Sequence, residues 1–317
     1  YRRAGWPGLV CAGVCFILPA FCIVLGIAWL YVRYGNLPAA ESLLYGVKPV
    51  VMAIVVHALW RLGRTAVKSE LLAMIGAMCV AALVAGAHEL LVLGGAAVIT
   101  ALIESARAGR GGSTGSLGAI ALAALPAGSA IGPVGAAGAV AGTATVVSLW
   151  PLFWIFLKIG SVLFGSGYVL LAFLRADFVE RLGWLSEGQL LDAVAVGQVT
   201  PGPVFTTATF VGFVLAGPMG ALVATVGIFL PAFVFVGLSA PFVPLPRRSV
   251  LAGRFLDGLN VASLAMIGVV GVQLGQAALV DWVTAGVSLV SLALLVKWKV
   301  NSAWLVLGGG AVGLLVG

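Results

Sequence analysis

Apolar stretches of about 20 residues follow one another along most of the chain, separated by short polar or glycine- and proline-rich punctuation. A helix of about 20 residues crosses roughly 30 Å of hydrocarbon, so each stretch predicts a membrane span. The expected fold is all-α: a polytopic transmembrane helix bundle with about nine spans. Between residues 150 and 213 the pattern changes. An apolar run over 151–173 contains Lys158 and the break Phe164-Gly165-Ser166-Gly167-Tyr168; an amphipathic piece covers 177–187; Leu190-Leu191-Asp192 then leads into Gln198-Val199-Thr200-Pro201-Gly202-Pro203. Two prolines around a glycine cannot continue a helix, because each removes a backbone donor and clashes with the preceding turn. A broken or re-entrant helix is therefore expected. At membrane depth such backbone is tolerated only where it is buried or lines a wet cavity.

The chain also repeats itself. Residues 4–66 align without a gap on 216–278 at a constant offset of 212, with 18 identities in 63 pairs. Ala4-Gly5 and Gly8 fall on Ala216-Gly217 and Gly220, Leu18-Pro19-Ala20-Phe21 on Leu230-Pro231-Ala232-Phe233, Gly46 on Gly258, and Leu62-Gly63 on Leu274-Gly275. Two homologous halves are implied, 1–104 and 150–317, joined by a Gly/Ala/Ser-rich linker over 105–149 that contains Pro126 and Pro133. The first-half equivalents of 150–215 would fall almost entirely before Tyr1, so the full protein is expected to carry an additional N-terminal segment. Consistent with a truncated start, the chain opens on Tyr1-Arg2-Arg3 without Met and offers no signal peptide to read.

Composition narrows the class. Hydrophobic residues make up 62% and charged residues 9%, against about 45–50% and 25% in soluble domains, which excludes a soluble enzyme, a disordered scaffold and a secreted disulfide framework. The net charge of +7 fits cytoplasmic loops of a membrane protein, and no basic run with interleaved aromatics points to nucleic acid. Its distribution orients the halves. Arg2, Arg3, Arg61, Arg64, Lys68, Arg107 and Arg110 mark one side of the first half, with Arg33 the exception. In the second half the equivalents of Arg61, Arg64 and Lys68 are Gln273, Gln276 and Val280, while Arg247, Arg248, Arg254, Lys297 and Lys299 mark the opposite side. The halves should thus insert upside down relative to each other, the inverted-repeat plan of secondary transporters.

Polar residues within apolar stretches are the candidate site. Lys48 lies in the run 43–59 and aligns with Asn260. A Lys at the bilayer centre costs about 2.5–3.5 kcal/mol, so it faces a cavity, a partner or an interface. Facing a cavity, Lys48 would attract a dianion; the alternative is snorkelling, the preferred reading for Lys158. The breaks Gly165-Ser166-Gly167 and Thr200-Pro201-Gly202-Pro203 open backbone amides that suit an anion, and Thr200, Thr206 and Thr207 would add hydroxyl donors. Asp192 and Asp257 are candidate proton carriers; the competing readings are a helix-start charge for Asp192 and an ion pair with Arg254 for Asp257. His57 is expected to be a satisfied buried histidine, and Cys11, Cys15, Cys22 and Cys79 to pack as small hydrophobes, with neither metal nor disulfide site. Most tryptophans fall near span ends, as interfacial belts do. No Walker motif is present, which argues against ATP as energy source.

Three segments together, 156–170, 178–187 and Thr200-Pro201-Gly202-Pro203-Val204, with Tyr45-Gly46-Val47-Lys48-Pro49 in the first half, resemble the chromate ion transporter family over essentially the whole chain. The family pattern also has an N-terminal Phe-Gly-Gly-Pro element and a first Pro-Gly-Pro, absent here. The resemblance implies a multi-pass protein of the bacterial inner membrane that expels chromate from the cytoplasm at the expense of the proton gradient, and no cofactor. Its partners would be the oxyanion, protons and the bilayer, with homodimer formation an open possibility. One alternative is a transporter of sulfate or another tetrahedral oxyanion on the same fold. A membrane-embedded reductase is the other rival, disfavoured because four scattered cysteines offer no redox centre.

Overall fold

The computed structural model describes residues 5–35, 37–109, 147–163, 167–239 and 250–316. They form eleven α-helices: α1 Gly5–Tyr34, α2 Pro38–Ala66, α3 Glu70–Val84, α4 Glu89–Gly109, α5 Leu149–Val162, α6 Val169–Leu174, α7 Glu187–Val199, α8 Thr207–Ser239, α9 Val250–Ala278, α10 Trp282–Ala293 and α11 Ser302–Val316. A π-helical turn, Arg175–Arg181, extends α6, and another, Leu294–Trp298, extends α10. Among the described residues there is no strand. This is a polytopic membrane bundle. Five segments are long and apolar enough to cross a bilayer: Gly5–Tyr34, Pro38–Ala66, Glu89–Ala106, Val204–Leu238 and Leu251–Ala278. Four further apolar helices are shorter, so five of the about nine expected spans are long enough to cross among the described residues. Polar punctuation ends the short ones early, with N-caps at Ser69 and Asp281 and a left-handed Lys299.

The outer face is apolar. On α1 only Ala20, Val24 and Ala28 are buried, an i, i+4, i+8 stripe facing the protein, while Phe16 is 63% and Leu18 53% exposed. So much exposed apolar surface suits lipid rather than water. Cys11, Cys15 and Cys22 lie on this exposed side and only Cys79 is buried. The expected burial of the first three is therefore corrected: α1 packs through its alanine and valine stripe, not through its sulfurs.

The repeat is visible in the helix boundaries. Shifted by 212, α2 coincides with α9 at both ends, and α3 and α10 start at equivalent residues behind the equivalent caps Ser69 and Asp281. Equivalent helices pair antiparallel. Gly63 lies beside Leu264, Gly271 beside Val55 and Leu59, and Gly275 beside Met52, which runs α2 and α9 in opposite directions; Gly13 meets Phe233 and Gly237 meets Trp6, which does the same for α1 and the second part of α8. The docking is also reciprocal. Gly46 of α2 lies against the backbone of Gly309 and Gly313 on α11, and its mate Gly258 of α9 lies against Ala96 and Thr100 on α4. A side chain at either glycine would strike backbone, so both positions require a residue without Cβ for the helices to approach this closely.

Three fold-backs shape the first part of the second half. Phe156 packs its ring on Phe178 at 5.2 Å and Lys158 bonds Asp177, so α5 and α6 with its π turn form a helical hairpin, with Leu163 and Gly167 the described residues nearest its turn. Tyr31 touches both Asp192, through its hydroxyl, and Phe210, ring to ring at 5.0 Å. The two residues are therefore close in space, and α7 and the start of α8 form a second hairpin with Thr200 to Pro203 at its tip. A third reversal lies inside α8. Gly217 adopts φ 65° beside a non-helical Ala216, and Thr209 Oγ1 reaches Thr225 Oγ1 at 2.7 Å, so 207–215 folds back on 218–239. Each arm of the first two hairpins has 6 to 14 residues in α-helix, at most about 21 Å, which falls short of a bilayer and is the form expected of a re-entrant element.

Candidate functional site

α7 begins with a capping box: Ser186 Oγ accepts the Gln189 amide at 3.1 Å and Gln189 Oε1 accepts the Ser186 amide at 2.9 Å. The cap fixes the rotation of a helix buried almost all round, from Leu190 to Ala195. In that setting Asp192 is 3% exposed, and a carboxylate so removed from water must be held by partners. Tyr31 of α1 donates its hydroxyl to Oδ2 at 2.9 Å. Lys48 of α2 brings Nζ to 3.6 Å from Oδ1, too far for a tight charge-assisted bond, and Oδ1 is buried without a hydrogen-bond partner.

Lys48 and Asp192 line one cavity of about 430 Å³, together with Tyr31, Glu41, Tyr45 and Gln189. Tyr45 bonds the Asp281 carboxylate, whose Oδ1 also accepts the Thr284 amide at 2.8 Å. The Thr284 backbone amide, and then the Tyr45 hydroxyl, hold Asp281 below the usual carboxylate range. The cavity thus offers one ammonium ion whose facing carboxylate is incompletely satisfied, which is an arrangement that can exchange a protein carboxylate for an external anion.

The two hairpin tips meet some distance away, beyond Val199, the last residue of α7, which lies about 10 Å along the helix from Asp192. A Cβ at Gly167 would lie 3.3 Å from Val204 Cβ, and one at Gly202 would lie 2.6 Å from Ala20 Cβ, so α1 and both tips pack on one another. Gly165 and Ser166 lie outside the described residues. Thr200, Thr206 and Thr207 donate their hydroxyls to the carbonyls of Val196, Pro203 and Val204 at 2.7, 2.9 and 2.8 Å. Their hydrogens are thus committed to the backbone in this conformation; Pro201 and Pro203 carry no N–H and the Thr200 amide bonds the Val196 carbonyl at 3.2 Å. Two residues not anticipated from sequence belong to these sites. Tyr31 orients Asp192, and Gln198 carries a buried Nε2 without partner beside the Tyr168 hydroxyl. Their one signal is a polar group alone in an apolar run.

The chromate transporter family model matches residues 1–101 and 150–314. The chain belongs to the chromate transporter family. It is 34% identical over 315 residues to the chromate transport protein of Cupriavidus metallidurans, covering 96% of this chain and 74% of the relative. It is 34% identical over 322 residues to the chromate transport protein of Pseudomonas aeruginosa, covering 99% and 76%. With the probable chromate transport protein of Synechococcus elongatus the identity is 31% over 304 residues, covering 95% and 74%. No solved structure matches the chain. The family match includes Lys48, Asp192 and both hairpin tips, and leaves out 102–149, most of which lies outside the described residues.

In this family member the remaining candidates lie elsewhere. Asn260 sits 17 residues from the cavity-lining Ala277 on the same helix, about 25 Å away, so Lys48 and Asn260 do not share a site in this conformation. Asp257 pairs with Lys68 at 2.6 Å, and Arg254 instead holds Glu104 at 3.1 Å, because α9 presents the two charges to different neighbours, α3's approach and α4. Lys158 does not snorkel. It binds Asp177 at 2.6 Å, joined by Arg181 at 3.0 Å, and Arg175 links Glu180 to Glu187. Arg175, Asp177, Glu180 and Arg181 border a second cavity of about 490 Å³, and each of them is engaged in an ion pair. His57 is not the satisfied histidine expected: its Nδ1 is buried without a partner.

Proposed function

We propose that this protein exports chromate from the cytoplasm across the bacterial inner membrane by alternating access of two inverted halves, energised by the proton electrochemical gradient. The observation that carries the reading is the Lys48–Asp192 pair facing a polar cavity at 3.6 Å. A fixed ammonium ion attracts a dianion, and a titratable carboxylate beside it supplies a means of proton coupling. The relatives that bear the name chromate transport protein support chromate as the cargo. Antiparallel pairing of equivalent helices and reciprocal docking through Gly46 and Gly258 support the inverted-repeat plan, in which one half rocks against the other about the site. The half-length hairpins meeting at their tips support a path of broken backbone, where the amides around Gly167 and Gly202 receive the anion before Lys48 does.

The test is chromate accumulation by inside-out vesicles carrying the full-length protein, energised by respiration and challenged with excess sulfate. Uptake that collapses when the gradient is dissipated and resists sulfate is expected. Uptake of sulfate in place of chromate would move the cargo to another oxyanion, since a pocket that reads charge and tetrahedral shape separates isosteres poorly. Gradient-independent uptake would remove the coupling.

A further inference from the structure

We infer that the cavity between α1, α2 and α7 binds its oxyanion together with a proton, so that the two ligands reinforce rather than displace one another, with Tyr31 as a positioning residue. This rests on the proposed anion site at Lys48. Three features carry it. Asp192 is the counter-charge of Lys48, at 3.6 Å, and lies on the same cavity. Its side chain is 5% exposed, so water does little to screen it from an incoming anion. Its Oδ1 has no hydrogen-bond partner, whereas Oδ2 is held by Tyr31 at 2.9 Å, which leaves Oδ1 as the open protonation position.

A dianion entering beside Lys48 meets the Asp192 carboxylate as a like charge. Protonation at Oδ1, by one proton from solvent, removes that repulsion, frees Lys48 from its internal partner and turns the carboxylate into an O–H that can donate to an anion oxygen. Tyr31 meanwhile continues to donate to Oδ2 and keeps Oδ1 turned to Lys48. Linkage makes the effect reciprocal: whatever factor the proton contributes to anion affinity, the anion contributes to proton affinity. The other charged or titratable groups facing the pair do not take this role. Glu41 is exposed, and Tyr45 is engaged with Asp281, which is itself held by the α10 cap. Co-binding sends the proton in the same direction as the anion, so a dianion and one proton carry one net negative charge outward. The inside-negative potential pulls that complex out with about 2.3 kcal/mol per 100 mV, while the pH difference opposes the exit of the proton, so on this scheme the electrical part of the gradient drives export.

The experiment is calorimetric titration of chromate into the detergent-solubilised full-length protein at about pH 8, in two buffers of different ionisation enthalpy, which reads the protons exchanged per anion bound. Net uptake approaching one proton per anion is expected, and chromate affinity at least ten-fold tighter on lowering the pH through the Asp192 titration. Asp192→Asn should abolish the uptake while binding chromate at least as tightly as the wild type, and Glu41→Gln should leave the uptake intact. Tyr31→Phe should bind chromate and shift the pH at which uptake occurs. Proton release, or uptake that survives in Asp192→Asn, would overturn the inference and leave the anion site standing; absence of chromate binding in the wild type would overturn the site and the inference together.

Discussion

Two lysine–aspartate pairs each place their aspartate in one of the two hairpins, and they differ in completeness. Asp177 is bracketed by Lys158 at 2.6 Å and Arg181 at 3.0 Å, and the adjacent Arg175 is claimed by Glu180 and Glu187. Asp192 has a single cation, Lys48, at 3.6 Å from Oδ1; each aspartate has one oxygen that makes no hydrogen bond, but that of Asp177 lies 2.6 Å from Lys158 Nζ. Both aspartates are buried and both border cavities. The first set of charges closes on itself and joins the two hairpins where 182–186 connects them, so it holds structure. The second leaves a cation partly unclaimed, so it can take a ligand. Burial and charge alone do not separate a clamp from a site; the count of partners does.

The sharpest way to break the first pair is Asp177→Ala, which strands Lys158 and Arg181 around a buried position. It is expected to cost about 3 kcal/mol of stability, read as a lowered denaturation midpoint in detergent, with chromate affinity in the surviving folded protein unchanged. Lys48→Met should act in the reverse way. Chromate affinity falls about a hundred-fold, roughly 2.7 kcal/mol, measured by calorimetry, while membrane insertion and folding persist because Asp192 can neutralise itself by taking a proton. Tyr31→Phe removes one hydrogen bond to Asp192 and is expected to cost about 1 kcal/mol, seen as a modest drop in thermal midpoint and easier protonation of the carboxylate. Arg181→Met is the mildest. Its side chain is 54% exposed, so loss of the pair should change stability by less than about 1 kcal/mol, checked in the same denaturation assay.

Much of the architecture was legible in the sequence because it follows from length and repetition. The apolar runs predict the bundle, the offset of 212 predicts the coincidence of α2 with α9, and Gly165 to Gly167 with Pro201 to Pro203 predict the broken helices. The fold-back at Ala216-Gly217 was not legible, since the apolar pattern runs through it and the same dipeptide also reads as a repeat landmark. The pairing of Lys48 with Asp192 was hidden for another reason. Each was recognisable as a polar residue in an apolar run, but the two lie on different helices brought together only by tertiary packing. Asn260 was misplaced by the repeat itself: it aligns with Lys48 in sequence, but the antiparallel pairing of α2 with α9 puts the two at opposite ends of the pair.

The central claim, that the incomplete pair is the transport site and the complete pair is not, is tested most directly by chromate uptake into inside-out vesicles carrying wild-type protein, Lys48→Met or Lys158→Met at matched protein levels. The account predicts uptake by the wild type, retention in Lys158→Met and loss in Lys48→Met. Wild-type uptake in Lys48→Met would contradict it.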